Sequence, residues 1–303
     1  MTLVLVIAGP TGAGKSRLAL ELAAAHRGMI INADSMQVYR ELRVLTARPS
    51  AEDMARVPHR LYGTISASEP CSAARWRRLA LAAIEEAHGE GRLPILVGGT
   101  GLYLKALFEG LAEIPLIPPA VRTTARTRYG MLGGEAFRAE LARRDPESAA
   151  RLVPGDTQRL VRAWEVVEAT GRTLPEWQRQ ARAKGDGHHY RTVLLAPPRA
   201  PLYAACNARF DTMMASGALD EVRALLALGF DPALPAMKSL GVRELARHLG
   251  GEWSLEQAVA KARQATRNYA KRQATWFRHQ FAADLVLEEQ NLTAIKALLA
   301  PAC

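Results

Sequence analysis

The sequence predicts an α/β fold: a phosphate-loop NTPase-like core on a parallel sheet, interrupted by a helical insertion domain. Three observations predict it. Apolar strand-like runs at residues 3–8, 29–32, 94–97, 192–196 and 284–287 alternate with helical stretches, the pattern of a parallel sheet whose crossovers are helices. The first run leads directly into Gly9-Pro10-Thr11-Gly12-Ala13-Gly14-Lys15-Ser16, a complete phosphate loop. Between residues 115 and 190 the strand signal disappears, and helical segments rich in Arg and Ala take its place. The division expected is a core of residues 1–115 and 191–303 around an insertion of residues 116–190. Lys184-Gly185-Asp186-Gly187-His188-His189 then forms a flexible return to the sheet.

The loop carries its own chemistry. Glycines let successive backbone N–H groups curl around an anion, Lys15 adds a point charge, and the Ser16 hydroxyl is placed to hold Mg²⁺. Residues 16–23 then open a helix whose positive dipole end faces the same anion.

After the second strand, Asn32-Ala33-Asp34-Ser35-Met36-Gln37-Val38-Tyr39-Arg40 puts a carboxylate, a hydroxyl and an amide just past a strand's carboxyl end, where ligands of open α/β sheets sit. Asp34 serves equally as a helix N-cap, a role that would occupy its oxygen. The third strand runs into Gly98-Gly99-Thr100-Gly101-Leu102-Tyr103, where a phosphate-loop nucleotidase presents an acid to organise Mg²⁺ and water. No acid stands there, and Thr100 offers a hydroxyl either to a diphosphate or as a cap. Arg209, on the helix after the fourth strand, is placed to clamp a phosphate or to pair with a carboxylate of its own helix.

Basic clusters follow. Gln158-Arg159-Leu160-Val161-Arg162 and Lys238-Ser239-Leu240-Gly241-Val242-Arg243 are short; residues 261–280 carry six Lys and Arg and no acid. At about 100° per residue, Arg263, Arg267, Lys271 and Arg278 share an arc of roughly 80°, with Ala265, Tyr269 and Trp276 opposite. This predicts one docked face and one cationic stripe suited to phosphate backbones.

A net charge of +10 over 303 residues points to an acidic partner such as nucleic acid. Cys71, Cys206 and Cys303 are odd in number and widely spaced, which suggests neither a disulfide framework nor a zinc site and fits the cytoplasm. No run of about 18 apolar residues occurs, so no membrane span is expected. On these residues alone a nucleotide or small-molecule kinase with a lid, a non-catalytic RNA-binding protein and a transferase all stay open.

Taken in order, the phosphate loop, Asp34-Ser35-Met36-Gln37-Val38-Tyr39, Thr46-Ala47-Arg48-Pro49, Gly98-Gly99-Thr100-Gly101-Leu102-Tyr103, Asp156-Thr157-Gln158-Arg159-Leu160 and Lys271-Arg272-Gln273-Ala274-Thr275-Trp276 resemble the tRNA dimethylallyltransferase family in its bacterial form. The resemblance spans nearly the whole chain. It implies transfer of a dimethylallyl group from dimethylallyl diphosphate to N6 of adenosine 37 in the anticodon stem-loop of tRNAs that read codons beginning with U, by a monomer. Asp34 is then the base, with Thr100 and Arg209 as its catalytic companions, and residues 9–16 hold the diphosphate with Mg²⁺ on Ser16. Implied tRNA contacts are Asp34, Ser35, Met36, Gln37, Thr100, Arg122, Gln158, Arg159, Leu160, Val161, Arg162, Lys238, Arg243, Lys271, Arg272, Gln273, Trp276 and Arg278. The chain departs from the family pattern at Leu42-Arg43-Val44-Leu45, and Val242 stands where the family generally has Tyr. Adenylate isopentenyltransferases share a similar core, but the insertion and the basic helix favour a polynucleotide acceptor.

Overall fold

A computed structural model describes residues 2–181 and 187–299. Six strands, β1 (Leu3–Ala8), β2 (Gly28–Asn32), β3 (His59–Arg60), β4 (Leu93–Gly98), β5 (His189–Leu195) and β6 (Leu285–Leu287), form one parallel sheet in the order β3-β2-β4-β1-β5-β6. The helices are α1 (Lys15–Ala25), α2 (Ala51–Arg56), α3 (Ala73–Gly89), α4 (Gly101–Glu109), α5 (Pro119–Ala142), α6 (Pro146–Arg151), α7 (Thr157–Thr170), α8 (Leu174–Ala181), α9 (Arg199–Ala215), α10 (Ala218–Ala227), α11 (Val242–Leu249), α12 (Leu255–Gln280) and α13 (Leu292–Leu299).

β1 lies between β4 and β5, with Val6 opposite Leu96 on one side and Thr192 on the other. Buried on both faces, it is the near-continuous apolar run that central parallel strands require. Alternate residues Leu5 and Ile7, Ile95 and Val97, Val193 and Leu195 point to one face and pack with Leu18, Ala19 and Leu22 of α1. From β1 the chain crosses to β2 on one side, and from β4 it passes back over to β5 on the other, so the crevice at the carboxyl end of β1 is a topological switch point. The phosphate loop occupies that crevice.

All five expected strands are present. β5 begins at His189, three residues before the expected start. Its first residues ladder onto β1, with His189 opposite Leu3 and its N–H donated to the Thr2 carbonyl at 3.0 Å. His188 and His189 are therefore tied to the sheet, His188 through its Nδ1 contact with Thr2 Oγ1 at 3.0 Å, and only Lys184, Gly185 and Asp186 of the expected flexible return lie outside the described residues. β3 is unforeseen: two residues are too few to show an alternation.

Two compact units emerge, Met1–Ala106 with Gly187–Cys303, and Leu107–Asp186. The second is wholly helical in its described residues and has a core of its own: Ala125, Phe137, Leu141, Leu160, Ala163 and Trp164, with the Tyr129 ring edge-on to Phe137 at 5.3 Å. Its longest helix, α5, bends at Gly133, where φ is 73°. In the first unit, α12 packs on α9 and α11 along Ala258, Ala262 and Ala270, small residues that let helix axes approach closely. Among the described residues no helix is long and apolar enough to cross a membrane.

Candidate active site

Gly9 starts the loop with φ 149°, and a Cβ there would meet the Leu195 carbonyl oxygen at 2.5 Å, so only glycine lets the chain turn away from β5. Lys15 Nζ folds back on the loop, donating to the Gly9 carbonyl at 2.9 Å and to that of Pro10 at 2.8 Å. Burial lowers its pKa to about 8, against the opposing attraction of Asp34. From α12, Gln273 Oε1 accepts the Thr11 N–H at 2.8 Å, while Nε2 donates to the Gly99 carbonyl at 2.8 Å. Because C=O and N–H point opposite ways in a trans peptide, holding the Thr11 N–H outward aims the Pro10 carbonyl at Lys15.

Asp34 sits two residues past the end of β2. Asn32 bonds its backbone on both sides, accepting the Asp34 N–H at 2.8 Å and donating to its carbonyl at 2.9 Å, while Trp76 Nε1 fixes the Asn32 carbonyl at 2.8 Å. The expected competition between cap and catalyst resolves through the carboxylate's two oxygens. Oδ1 closes a turn by accepting from the N–H groups of Met36 and Gln37 at 2.8 and 3.4 Å; no helix starts here, and among the described residues Oδ2 has no hydrogen-bond partner. Tyr62, Tyr103 and Tyr269 surround this carboxylate. Burial raises all three phenols well above their ordinary range, so they stay protonated; the negative charge of Asp34 adds to this at Tyr62 and Tyr269, while at Tyr103 the neighbouring Cys71 comes ahead of it.

Thr100 does not cap α4. Its Oγ1 accepts the Ser35 N–H at 2.9 Å and lies 3.3 Å from Ser35 Oγ, tying together the loops after β2 and β4. Arg209 on α9 finds no carboxylate on its own helix. Nη1 donates to Thr11 Oγ1 at 3.1 Å and Nη2 to the Thr46 carbonyl at 3.2 Å, so a half-buried guanidinium rests on neutral oxygens at the phosphate loop. Burial lowers its pKa, partly offset by Asp34, and it remains a cation. A cavity of about 290 Å³ opens between these groups. Its lining combines polar groups, among them Thr11, Asp34, Ser35 and Arg209, with apolar side chains, Met36, Leu45, Phe210, Met213 and Leu240.

The remaining expected site residues divide. Ser35, Met36, Lys238 and Arg272 line the cavity, and the Arg272 guanidinium sits 5.6 Å from the Tyr269 ring centre. Lys271 and Arg278 are exposed on α12, and Arg243 lies on α11 in a second groove. Gln37 Nε2 is committed to the carbonyls of Thr46 and Ala47, at 2.8 and 3.1 Å. Trp276 lies flat on Gly101 and edge-on to Phe277. Arg122, Gln158 and Arg159 are exposed in the second unit, Arg159 with Asp156 at 3.3 Å, and Arg162 lies near Glu165 at 3.5 Å.

Three implied tRNA contacts are corrected. Gln273 is 5% exposed, with both amide atoms spent on backbone. Leu160 and Val161 form part of the second unit's core, because α7 turns them inward and its polar residues outward. The cationic stripe is also shorter than expected. Arg263 is salt-bridged to Asp211 and Arg267 donates to Asn207 at 2.7 Å, both on α9, so only the half of the stripe carrying Lys271 and Arg278 faces outward.

Glu221 was not anticipated. Its carboxylate accepts from the N–H groups of Arg43, Val44 and Leu45 at 2.6, 2.7 and 2.9 Å, mooring the departing segment through backbone that is indifferent to side-chain identity. A lone sequence carries no signal for such a long-range backbone contact. Val242 is buried at the start of α11, in the floor of the groove that Arg243 also lines.

Comparison with known proteins places the chain in a family. The IPP transferase family model matches residues 37–280. A tRNA dimethylallyltransferase of Rhodospirillum centenum is 61% identical over 281 residues, covering 92% of this chain and 90% of that protein. The crystal structure of the full-length tRNA isopentenylpyrophosphate transferase from Bacillus halodurans superposes with a TM-score of 0.69 at 32% identity, covering 98% of this chain and 93% of the other. That of a eukaryotic dimethylallyltransferase acting on tRNA gives 0.83 at 26% identity, covering 98% and 78%. With a matched segment well over half its length and relatives matched almost end to end, the chain belongs to the IPP transferase family.

Proposed function

We propose that this chain transfers a dimethylallyl group from dimethylallyl diphosphate to N6 of adenosine 37 in tRNAs that read codons beginning with U, giving N6-(dimethylallyl)adenosine. The observation that carries the reading is Asp34: a carboxylate with one oxygen fixed in a turn and the other open, in a cavity that also holds Arg209 and borders the phosphate loop. The adenine amino nitrogen is a poor nucleophile because its lone pair is delocalised into the ring. Asp34 Oδ2 accepts an N6 proton as N6 bonds to the allylic carbon. The bond from that carbon to the diphosphate oxygen breaks, and the diphosphate leaves with the electron pair. Lys15, Arg209 and the loop N–H groups stabilise the departing charge, and the apolar side chains in the cavity lining suit the five-carbon chain.

Mg²⁺ fits as a partner of the diphosphate. Ser16 Oγ is exposed in the first turn of α1 without a hydrogen-bond partner among the described residues, and no cluster of three acidic, His or Cys residues offers a protein cage there. One hydroxyl plus diphosphate oxygens and waters is the way Mg²⁺ is commonly held, and the ion when bound would neutralise leaving-group charge.

Lys238, Lys271, Arg272 and Arg278 in the first unit, and Arg122, Gln158, Arg159 and Arg162 in the second, are the residues that would grip the anticodon stem-loop. Action as a monomer and a cytoplasmic location belong to the same reading, the second because tRNA is the acceptor. The kinase reading fares worse, because Gly98-Gly99-Thr100 supplies no acid at the end of β4 and the end-to-end relatives are prenyltransferases. Incubation with labelled dimethylallyl diphosphate and unmodified tRNA, followed by nucleoside analysis, tests the reading. Label is expected in N6-modified adenosine; its absence beside phosphate transfer from ATP would decide for the kinase.

A further inference from the structure

The geometry points to Gln290, in the segment between β6 and α13, as a positioning residue of the diphosphate site. It lies beyond residue 280, where the match to the family ends, and it acts on the opposite end of the phosphate loop from Gln273. Gln290 Nε2 donates to the Gly14 carbonyl at 2.9 Å, and Oε1 accepts from Arg17 Nε at 3.0 Å. The second bond fixes which way the amide faces, because an arginine can only donate.

The consequence lies in the peptide plane between Gly14 and Lys15. Its carbonyl and the Lys15 N–H point in opposite directions, so an amide pulling the Gly14 oxygen away from the loop turns the Lys15 N–H inward, toward the anion. The same oxygen accepts the first helical bond of α1, from the Leu18 N–H at 3.3 Å, so Gln290 and the helix hold one plane from two sides. Gly14 leaves room for the amide. At φ 83° it adopts a backbone that side-chain-bearing residues avoid, and a Cβ there would lie 2.5 Å from Gln290 Nε2. The chemical class read by this end of the loop is a diphosphate or its leaving group, inorganic pyrophosphate. This inference rests on the prenyl-diphosphate reading of the loop.

Calorimetric titration of inorganic pyrophosphate with Mg²⁺ tests it without requiring turnover. Gln290→Ala should weaken pyrophosphate about fivefold, the worth of one loop hydrogen bond. Gln290→Glu should weaken it further, because it keeps the Arg17 contact, loses the donor to Gly14 and brings a negative charge to the anion. Melting temperature and tRNA affinity should stay at wild-type values in both, and the KM for dimethylallyl diphosphate should rise while kcat holds. Pyrophosphate affinity within twofold of wild type in both variants would overturn the assignment. So would a loss that travels with equal losses of melting temperature and tRNA affinity, which marks a merely structural contact. Wild-type protein that binds pyrophosphate but transfers no prenyl group would sink the proposed function and leave Gln290 standing.

Discussion

Asp34 divides its labour between two oxygens. Oδ1 holds the turn to Met36 and Gln37, which fixes the carboxyl's direction, and Oδ2 is left for chemistry. Asp34→Asn keeps the Oδ1 acceptor and removes the base. Single-turnover assays should show prenyl transfer falling by about 10²- to 10⁴-fold while tRNA affinity is retained; turnover at the wild-type rate would exclude Asp34 as the base. Lys15 sets a pH dependence of definite sign. Its ammonium is the form that attracts the diphosphate, and burial brings its pKa to about 8. Affinity for dimethylallyl diphosphate should therefore be highest between the substrate's last ionisation, near pH 6, and pH 8, and fall as pH rises through about 8. In Lys15→Arg, whose cation does not titrate in this range, the fall should flatten. An unchanged slope in that variant would assign the titration to another group.

At the scale of elements, α12 is a helix with two duties. Its Ala-rich face lies against α9 and α11, Gln273 and Tyr269 reach into the site, and Lys271, Arg272 and Arg278 face solvent. Lys271→Ala should weaken tRNA binding and lower the slope of log affinity against log salt by about one, the signature of a lost phosphate contact. Arg263→Ala should leave that slope alone, because its charge is already spent on Asp211. The contrast explains what was legible beforehand. Periodicity located the helix, since a 3.6-residue repeat is a local property, but the expected docked residues Ala265, Tyr269 and Trp276 are half-buried, and the buried side runs along Ala262, Ala270, Gln273 and Phe277. Which arginines are paired depends on acids some fifty positions away, as with Asp211 and Arg263, and no local pattern carries that information. The phosphate loop was legible for the opposite reason: its glycines, Lys15 and Ser16 are contiguous. Glu221 and Gln290, which hold loops in shape from distant elements, left no trace, and Gln273 was legible as part of a motif but not in that role. Hydrophobic runs disclosed five of the six strands, and β3 was missed because it is shorter than one period of the signal.

The whole molecule keeps chemistry and a large share of its basic surface in separately cored units. The sheet cluster around Leu5, Ile7 and Ile95 belongs to the first, and the cluster around Phe137, Leu160 and Trp164 to the second. Separate cores imply separable failures. Leu160 is fully buried, and Leu160→Ala deletes three heavy atoms from the centre of a small helical core, a change that costs about 2–5 kcal/mol. Because a unit of that size has little stability to spare, its exposed Arg122, Gln158 and Arg159 would lose their fixed spacing. The variant should bind tRNA more weakly while pyrophosphate affinity at the phosphate loop stays within twofold of wild type, measured by parallel titrations. Equal loss of both would mean that the anion site draws its order from the second unit's core, and that the two clusters fold as one.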